Sequence, residues 1–184
     1  MGSLAHRFDA APANVDEFLR LYEGVEGRRE FVHGEVVEMM TNVTAAHMRV
    51  TLALAAALLD RLSKDHAVAV ADFGVETAAG VRFPDVMVSP DRYRGDELKA
   101  EAPSLIAEVL SASSAARDFG PKAAEYLALS SLHHYLVLAQ DRPTVWHWAR
   151  YDEGFGEPTV LEGRDAVLTL AAFDATVPLA ELYS

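Results

Sequence analysis

The chain has 184 residues, of which 51% are hydrophobic, and its net charge is −12. This length suits one domain, which we expect to run over residues 1–184, and the hydrophobic content is sufficient for one core. The absence of cysteine excludes disulfides and thiolate metal sites and fits a cytoplasmic protein. The negative charge argues against a generic nucleic-acid coat protein, which needs a basic face, but it does not exclude a nuclease.

Nothing in the sequence predicts a membrane segment. The N-terminus lacks an apolar signal core, and the longest apolar stretch, residues 50–62, is broken by Asp60 and Arg61. This stretch is too short to span a bilayer, so we expect a soluble chain with no membrane partner.

The first part of the chain, residues 14–40, predicts a helix followed by a β-hairpin. Asn14 can cap the helix through its side-chain oxygen. The apolar side of this helix would consist of Phe18, Leu19 and Leu21. Residues 29–40 then alternate on both sides of His33-Gly34, a pattern typical of a tight hairpin.

The central part, residues 41–150, begins with a second helix that Thr44 can cap. Its core-facing stripe is predicted from apolar spacings of three and four: Met48, Leu52, Ala55, Leu59 and Leu62. Strands are predicted at residues 67–71, 74–77, 82–89, 104–110, 133–139 and 144–149. Between them we expect a surface loop at 90–103, a small-residue loop at 111–116, and a helix with Pro121 in its first turn.

The C-terminal part, residues 151–184, predicts two weaker strands near 159–161 and 166–170. Helices and strands therefore follow one another in mixed order along the chain. This order predicts an α/β fold with a mixed central β-sheet flanked by α-helices.

Two carboxylates lie in segments that otherwise have the composition of buried strands. Asp85 precedes an apolar run, and Glu108 interrupts the apolar run 105–110. Burying an ionised carboxylate costs roughly several kcal/mol unless a cation, a donor or a metal replaces the lost water. Hard divalent cations such as magnesium prefer oxygen ligands, so two acids at the ends of neighbouring strands predict a magnesium site. Taken singly, each acid could instead form a structural ion pair.

Lys122 is the candidate cation beside the acids. Pro121 places it in the first turn of a helix, with Asp118 and Tyr126 one turn to either side. A lysine beside a metal-bound water can orient or deprotonate that water and can stabilise charge on a phosphate. The alternative is an exposed lysine paired with Asp118.

Three glutamates of the hairpin compete for a further role in the site. Glu30 opens the first hairpin strand and could reach the site from the edge of the sheet, whereas Glu35 and Glu38 are expected to face water. Of the seven histidines, His47 is the one we place near the site, with a surface or capping role as the alternative.

Other histidines do not suggest a zinc site. His133 and His134 are adjacent in a predicted strand, so their side chains leave opposite faces and cannot chelate one ion together. His147 lies between Trp146 and Trp148 and is expected to face away from both.

A phosphate backbone would need a local basic patch in so acidic a chain, or a cleft between two copies. The candidates for the patch flank the two acidic strands: Arg82, Arg92, Arg94, Lys99, Arg117 and Lys122.

In their order along the chain, these motifs resemble the Uma-two family of restriction endonuclease-like proteins, within the PD-(D/E)xK nuclease superfamily. The resemblance runs from Val15 to Leu182 and is carried by Glu30, Gly34-Glu35, His47, Pro84-Asp85-Val86, Glu108-Val109-Leu110-Ser111, Asp118, Lys122, Tyr126 and Tyr135. It implies a restriction-endonuclease-like core, DNA as the partner, and a homodimer.

The resemblance also implies a catalytic set, which consists of Glu30, Asp85, Glu108 and Lys122. It implies Mg²⁺, or Mn²⁺ in its place, bound by Asp85, Glu108 and the carbonyl of Val109. Possible accessory residues are His47, Asp118 and Tyr126. In the superfamily the lysine stands two places after the second acid, where this chain has Leu110, so Lys122 would replace it. Ala112 and Gln140 also depart from the family pattern, which has proline and aspartate there.

Together these observations predict a magnesium-dependent DNA endonuclease that hydrolyses phosphodiester bonds. One alternative is a catalytically inactive nuclease-fold module for binding or dimerisation, and another is a metal-dependent hydrolase of small phosphodiesters. Magnesium binding would separate the first alternative from the enzyme, and salt-dependent DNA binding would count against the second.

Overall fold

The computed structural model describes residues 11–39, 42–110 and 118–183. Within them the helices are α1 (Val15–Tyr22), α2 (Ala45–Arg61), α3 (Pro121–Leu127) and α4 (Leu179–Leu182), with a 3₁₀ turn at Ala171–Phe173. The strands are β1 (Arg28–Val32), β2 (Glu35–Met39), β3 (Ala67–Val70), β4 (Gly74–Thr77), β5 (Gly80–Arg82), β6 (Val86–Ser89), β7 (Lys99–Ala100), β8 (Leu105–Leu110), β9 (His134–Ala139), β10 (Thr144–Tyr151), β11 (Gly154–Phe155), β12 (Thr159–Glu162), β13 (Val167–Leu170) and β14 (Ala175–Pro178). None of these helices has both the length and the apolar composition needed to cross a membrane.

The larger sheet of the described residues is mixed, as the sequence predicts. Its strand order is β11-β10-β9-β8-β6-β3, and β12 also pairs with β10. The central neighbours β8 and β9 are parallel, whereas β8 and β6 are antiparallel. The next strand, β10, continues from β9 as the predicted antiparallel hairpin.

Helices cover both faces of this sheet. Along β8 the side chains alternate, so that Leu105 and Val109 pack in the cluster of α2 while Ile106 packs in the cluster of α3. The strands β13 and β14 and the helix α4 complete the core on the α2 side, where Leu168 and Val177 are fully buried. This sandwich holds the central strands, and hence any residue at their ends, in fixed positions.

The smaller sheet has the order β2-β1-β5-β4-β7. Its hairpin confirms the predicted turn, since Val32 pairs with Glu35 and both turn residues, His33 and Gly34, have positive φ angles of 51° and 83°. Such a turn matches the twist of the two strands it connects. At the next pairing, Gly80 lies so close to β1 that an added Cβ would lie 1.9 Å from the carbonyl oxygen of Phe31.

Helix α2 begins where the sequence predicts, but the predicted core-facing stripe is wrong. Thr44 caps it by accepting a hydrogen bond from the His47 N–H at 3.1 Å. Three of the five predicted core residues are instead exposed: Met48 at 48%, Leu52 at 55% and Leu59 at 65%. The buried face consists of His47, Val50, Leu54, Ala55, Ala57 and Leu58. Apolar residues surround much of this helix, so spacing alone did not identify the face that packs.

Other differences from the sequence-based expectations are local. Leu21 of α1 is exposed although it was predicted on the apolar side with Phe18 and Leu19. The predicted strand 82–89 is divided, because residues 83–85 pass from the smaller sheet to the larger one. The loop 90–103 contains the short strand β7, and the loop predicted at 111–116 lies outside the described residues.

Candidate functional site

The two acidic strands meet in the antiparallel pairing of β6 with β8. The last pair of these strands at this end is Val86 with Ala107, so Asp85 and Glu108 are the next residues beyond it. The Asp85 carboxylate accepts the Val109 N–H, and its charge acts on Glu108. The two acids therefore lie close together at the end of β6 that receives the chain from the smaller sheet.

Asp85 is held by one backbone donor and one histidine. Its Oδ2 accepts the Val109 N–H at 2.8 Å and lies 3.1 Å from His47 Nε2. Burial would raise the pKa of Asp85, but the hydrogen bond and charge of His47, together with the Val109 N–H, lower it. Burial would lower the pKa of His47, and Asp85 raises it. Both shifts favour an ion pair of carboxylate and imidazolium.

Glu108 lies against the helix that follows it in the chain. Its Oε1 accepts hydrogen bonds from Lys122 Nζ at 3.0 Å and from the Tyr126 hydroxyl at 2.9 Å. Burial, together with the charges of Asp85 and Asp118, raises its pKa to about 7, although Lys122 opposes this shift. The carboxyl group of Glu108 therefore gains or loses its proton near neutral pH.

Lys122 is buried rather than exposed, so the alternative of a surface lysine is wrong. Its Nζ contacts Glu30 Oε1 at 3.2 Å as well as Glu108. Burial would lower the pKa of Lys122, but the charges of Glu108, Glu30 and Asp118 raise it. Because its pKa is raised, Lys122 stays a cation at neutral pH, which suits it to donate hydrogen bonds and to stabilise negative charge rather than to accept a proton.

Glu30 reaches this group from β1 of the smaller sheet. Its second oxygen, Oε2, lies 2.7 Å from Arg82 Nη1. Burial would raise the pKa of Glu30, but Lys122 and Arg82 lower it, so the carboxylate stays ionised. With one oxygen on each of two cations, Glu30 holds Lys122 in place. Glu35 and Glu38 are exposed, as the sequence predicts.

The ion pair of Arg82 with Glu125 was not predicted from the sequence. Arg82 Nε and Nη2 contact the two carboxylate oxygens of Glu125 at 2.8 and 2.5 Å. The Thr77 hydroxyl donates to the same carboxylate at 3.0 Å. Since Glu125 lies on α3 with Lys122, this ion pair connects the helix of the site to the smaller sheet.

Among the described residues, the two central candidates for the basic patch are buried instead of exposed. Arg82 and Lys122 are buried in ion pairs, and Lys99 pairs with Asp16 and Glu76. Of the remaining candidates, Arg92 donates to the Lys64 carbonyl, Arg94 pairs with Asp96 and Glu97, and Arg117 lies outside the described residues. Buried acids, which need counter-charges, explain why the two central cations are not on the surface.

Asp118 and Tyr126 are brought to the same site. Asp118 is buried, its charge acts on Lys122 and Glu108, and its backbone carbonyl accepts the Tyr135 hydroxyl at 2.8 Å. Tyr126 and Tyr135 pack with ring centroids 5.4 Å apart. Both rings are fully buried, and their packing holds the Tyr126 hydroxyl where it donates to Glu108.

The other histidines behave as strand residues. His133 is exposed and His134 is buried, so they leave opposite faces as predicted. His147 lies on the same face as His134, and Nδ1 of His134 is 2.9 Å from Nε2 of His147. This contact was not predicted, since the two residues belong to different strands. Among the residues that the structure describes, no group of three or more His, Asp or Glu is arranged to hold a metal ion.

A smaller oxygen donor set at Asp85 and Glu108 nevertheless fits a magnesium ion. The hydrogen bonds and ion pairs of the two acids involve Oδ2 of Asp85 and Oε1 of Glu108. Within the described residues this leaves Oδ1 and Oε2 as the oxygens that a cation could take. Magnesium is bound through one or two carboxylates and keeps several waters, so it needs no cage of three acidic side chains.

Comparison with known proteins gives one consistent result. Residues 15–180 match the family model Uma2, described as "Putative restriction endonuclease". The chain is 30% identical over 156 residues to an uncharacterised protein of Synechocystis sp. (strain ATCC 27184 / PCC 6803 / Kazusa), covering 82% of this chain and 88% of that protein.

The fold is similar to a crystal structure described as a putative nuclease belonging to DUF820, from Anabaena variabilis ATCC 29413. The TM-score is 0.70 at 18% identity, and the match covers 94% of this chain and 98% of the other. This likeness confirms the predicted restriction-endonuclease-like fold. Because the family model spans the site and both sheets, we conclude that the chain belongs to the Uma2 family.

Proposed function

We propose that the protein is a magnesium-dependent DNA endonuclease that hydrolyses phosphodiester bonds in the cytoplasm. The observation that carries this proposal is the contact of buried Lys122 with Glu108, whose neighbour Val109 donates its N–H to Asp85. Two neighbouring carboxylates supply hard oxygen ligands, and a buried lysine supplies a positive charge beside them. The family description, which names a restriction endonuclease, supports the same class of reaction.

Asp85, Glu108 and the carbonyl of Val109 would hold the ion. The Val109 N–H donates to Asp85, and in an extended strand the N–H and C=O of one residue point to the same edge. The carbonyl of Val109 is therefore expected on the side of Asp85. When bound, magnesium supplies charge stabilisation at the phosphate and at the leaving oxygen.

Lys122 and Glu30 would act on the phosphate and the attacking water. Held as a cation, Lys122 donates hydrogen bonds, which orient the water and stabilise the charge that develops on the phosphate. The ion pairs of Glu30 within the described residues are with Lys122 and Arg82. Its proposed role is therefore to position Lys122.

The test is divalent-dependent cleavage of plasmid and single-stranded DNA by the purified wild type, Asp85→Ala and Glu108→Ala. Each acid variant is expected to lose activity by at least about 100-fold, since electrostatic stabilisation of the phosphate is lost. Glu101→Ala, which removes an exposed acid near the same strand, is the matched control and should cleave like wild type. Circular dichroism of all four proteins verifies folding, and equal nicking by all of them would contradict the proposal.

A catalytically inactive module for binding or dimerisation is the second candidate. It is favoured by the contacts of Lys122 with both Glu108 and Glu30, since these balance the buried charges without a metal. Calorimetric titration with magnesium and with manganese distinguishes the two: the enzyme should bind an ion and lose it in Asp85→Ala, whereas the inactive module should bind none.

A homodimer is part of the proposal and is supported by the family resemblance. In sedimentation equilibrium the purified chain should then have twice the protomer mass of 20.0 kDa. A protomer mass at micromolar concentration would contradict this assembly and leave the proposed chemistry unaffected.

A further inference from the structure

A cavity of about 450 Å³ lies between α1, the start of β1 and Phe83. Its walls are mostly aromatic and aliphatic, with contributions from Phe18, Leu19, Tyr22 and Leu98. This volume is within the range of sites that bind small organic groups, which is about 300–1,000 Å³. The acids of the candidate catalytic site do not line this cavity, so its chemistry is separate from theirs.

Two of the lining residues connect the cavity to the acids. Arg28 lines the cavity and is two residues before Glu30 on β1, so both side chains leave the same face of the strand. The charge of Arg28 contributes to the lowered pKa of Asp85 and opposes the raised pKa of His47. Phe83 also lines the cavity, accepts a hydrogen bond from Arg28 at its carbonyl, and precedes Asp85 by two residues. Phe83, at the edge of the cavity, is therefore within about 7 Å of Asp85, the length of two extended residues.

The composition of the cavity suits a planar, aromatic group. Tyr22 and Phe83 offer aromatic surfaces. Arg28 and Arg29 also line the cavity: Arg28 pairs with Asp72 at 3.8 Å, and the Arg29 guanidinium lies 5.4 Å from the centroid of the Tyr22 ring. Glu23 and Asp72 also line the cavity and are exposed, and a carboxylate there can accept a hydrogen bond from a base N–H, such as the N3–H of thymine. Bases stack on aromatic side chains and on arginine, whatever their sequence.

We propose that this cavity binds a nucleobase that has left the base stack, next to the phosphate at Asp85 and Glu108. This inference rests on the proposed nuclease function and specifies its substrate. A base within an intact duplex is stacked on both sides and cannot enter, so the substrate is single-stranded DNA or duplex DNA that is opened locally.

The test measures binding without metal, so that cleavage does not contribute. Fluorescence anisotropy compares labelled hexathymidylate with a hexamer of the same backbone that lacks all bases. Wild type is expected to bind the hexathymidylate about tenfold more tightly, since stacking on aromatic side chains contributes that much for one base. Equal affinity for the two hexamers would overturn the proposal.

Val25→Trp fills the cavity from a residue that has no place in the catalytic machinery. This variant should bind hexathymidylate only as tightly as the baseless hexamer, while Val160→Trp, on the exposed strand β12, should keep the wild-type preference. Tyr22→Ala is a second variant that removes an aromatic wall instead of adding volume, and it should weaken the preference in the same way. If both cavity variants keep the full preference, the base binds elsewhere and the proposal is wrong.

Two duplex probes distinguish the sources of the unstacked base. A 12-base-pair duplex with one unpaired thymine should bind wild type more tightly than the fully paired duplex, and Val25→Trp should remove the difference. A fully paired duplex that binds as well as hexathymidylate would overturn the proposal. Failure of the nuclease function would appear separately in the magnesium assay, as intact DNA with wild type or as equal nicking by wild type and the acid variants.

Discussion

At the scale of single residues, the site depends on the balance of buried charges. Glu30 and Glu108 share Lys122, and Glu30 and Glu125 share Arg82, so each of these three carboxylates has a cation in direct contact. Burying a charge is strongly unfavourable unless a partner offsets the lost hydration. Removal of one member of this chain of contacts therefore affects the others.

Lys122→Met should destabilise the protein by about 3 kcal/mol, since it leaves Glu108 and Glu30 without their shared cation in a buried site. Urea unfolding at pH 8, where the carboxylates are ionised, measures this change. Lys64→Met, at an exposed lysine, should change stability by less than about 0.5 kcal/mol. A Lys122→Met protein as stable as wild type would show that the buried lysine does not balance these acids.

The acids themselves were predictable, because an acidic residue within or beside an apolar run stands out in the sequence. The residues that pair with these acids could not be predicted from the sequence in the same way. Arg82 and Glu125 are 43 positions apart, and His134 and His147 are 13 apart, so neither pair has a local pattern. Lys122 was identified as a site residue from its helix position, but its burial depends on Glu30, which the fold brings from another sheet.

At the scale of elements, α2 shows how a correct helix can be assigned the wrong face. Its sequence contains apolar residues at 12 of its 17 positions, so several stripes of similar hydrophobicity compete. The core selects the stripe that contains Leu54 and Leu58, because these side chains fit against β6 and β8. Packing, rather than hydrophobic spacing, decides between such stripes.

The two leucine positions Leu54 and Leu59 give a direct test of this face. Leu54 is 0% exposed and Leu59 is 65% exposed. Leu54→Ala should lower the free energy of unfolding by about 3 kcal/mol through loss of burial and creation of a cavity. Leu59→Ala should change it by less than about 0.5 kcal/mol in the same urea titration. Similar decreases in the free energy of unfolding for both variants would contradict the packed face of α2.

Strands that are joined by a recognisable turn were predicted from the sequence, whereas short strands without such a pattern were not. The hairpin β1–β2 has its turn residues between two alternating strands, and the pair β9–β10 has a polar turn that contains Pro143. By contrast, β7 has two residues and forms through pairing with the distant strand β4, and β14 has four residues and pairs with the preceding strand β13. A strand of two residues carries no periodicity, so its presence depends on the neighbour that hydrogen-bonds to it.

At the scale of the whole molecule, a pair of buried histidines connects the larger sheet to the C-terminal part of the chain. The Ala172 N–H donates to His134 Nε2 at 3.3 Å, so neutral His134 carries its proton on Nδ1 and donates it to His147. Burial lowers the pKa of His134 to about 3 and that of His147 to about 4, and the charge of His147 adds to the shift at His134. This hydrogen-bonded chain requires both rings to be neutral.

The histidine pair should make the fold sensitive to acid. Since both pKa values are lowered in the folded state, the unfolded chain binds protons first as the pH falls below about 6.5. The stabilisation is complete above that pH and is lost as the pH falls toward the folded values of about 4 and 3. Each histidine contributes a slope of up to about 1.4 kcal/mol per pH unit in this window.

His147→Gln retains a hydrogen-bond acceptor but cannot be protonated, so its stability should fall less steeply than that of wild type between pH 6.5 and 4. Urea unfolding at several pH values measures the difference in slope. His133→Gln, at the exposed neighbouring position, is the control and should follow wild type. Parallel curves for wild type and His147→Gln would contradict the assigned role of the pair.

Residues 83–85 form one of the covalent links between the two sheets, and the site is assembled across that link. Asp85 and Glu108 come with the larger sheet, while Glu30 and Arg82 come with the smaller one. Partial unfolding of the smaller sheet would keep Asp85 and Glu108 in place but would remove the contact of Lys122 with Glu30. Under the proposed function, activity would therefore require both sheets to be folded.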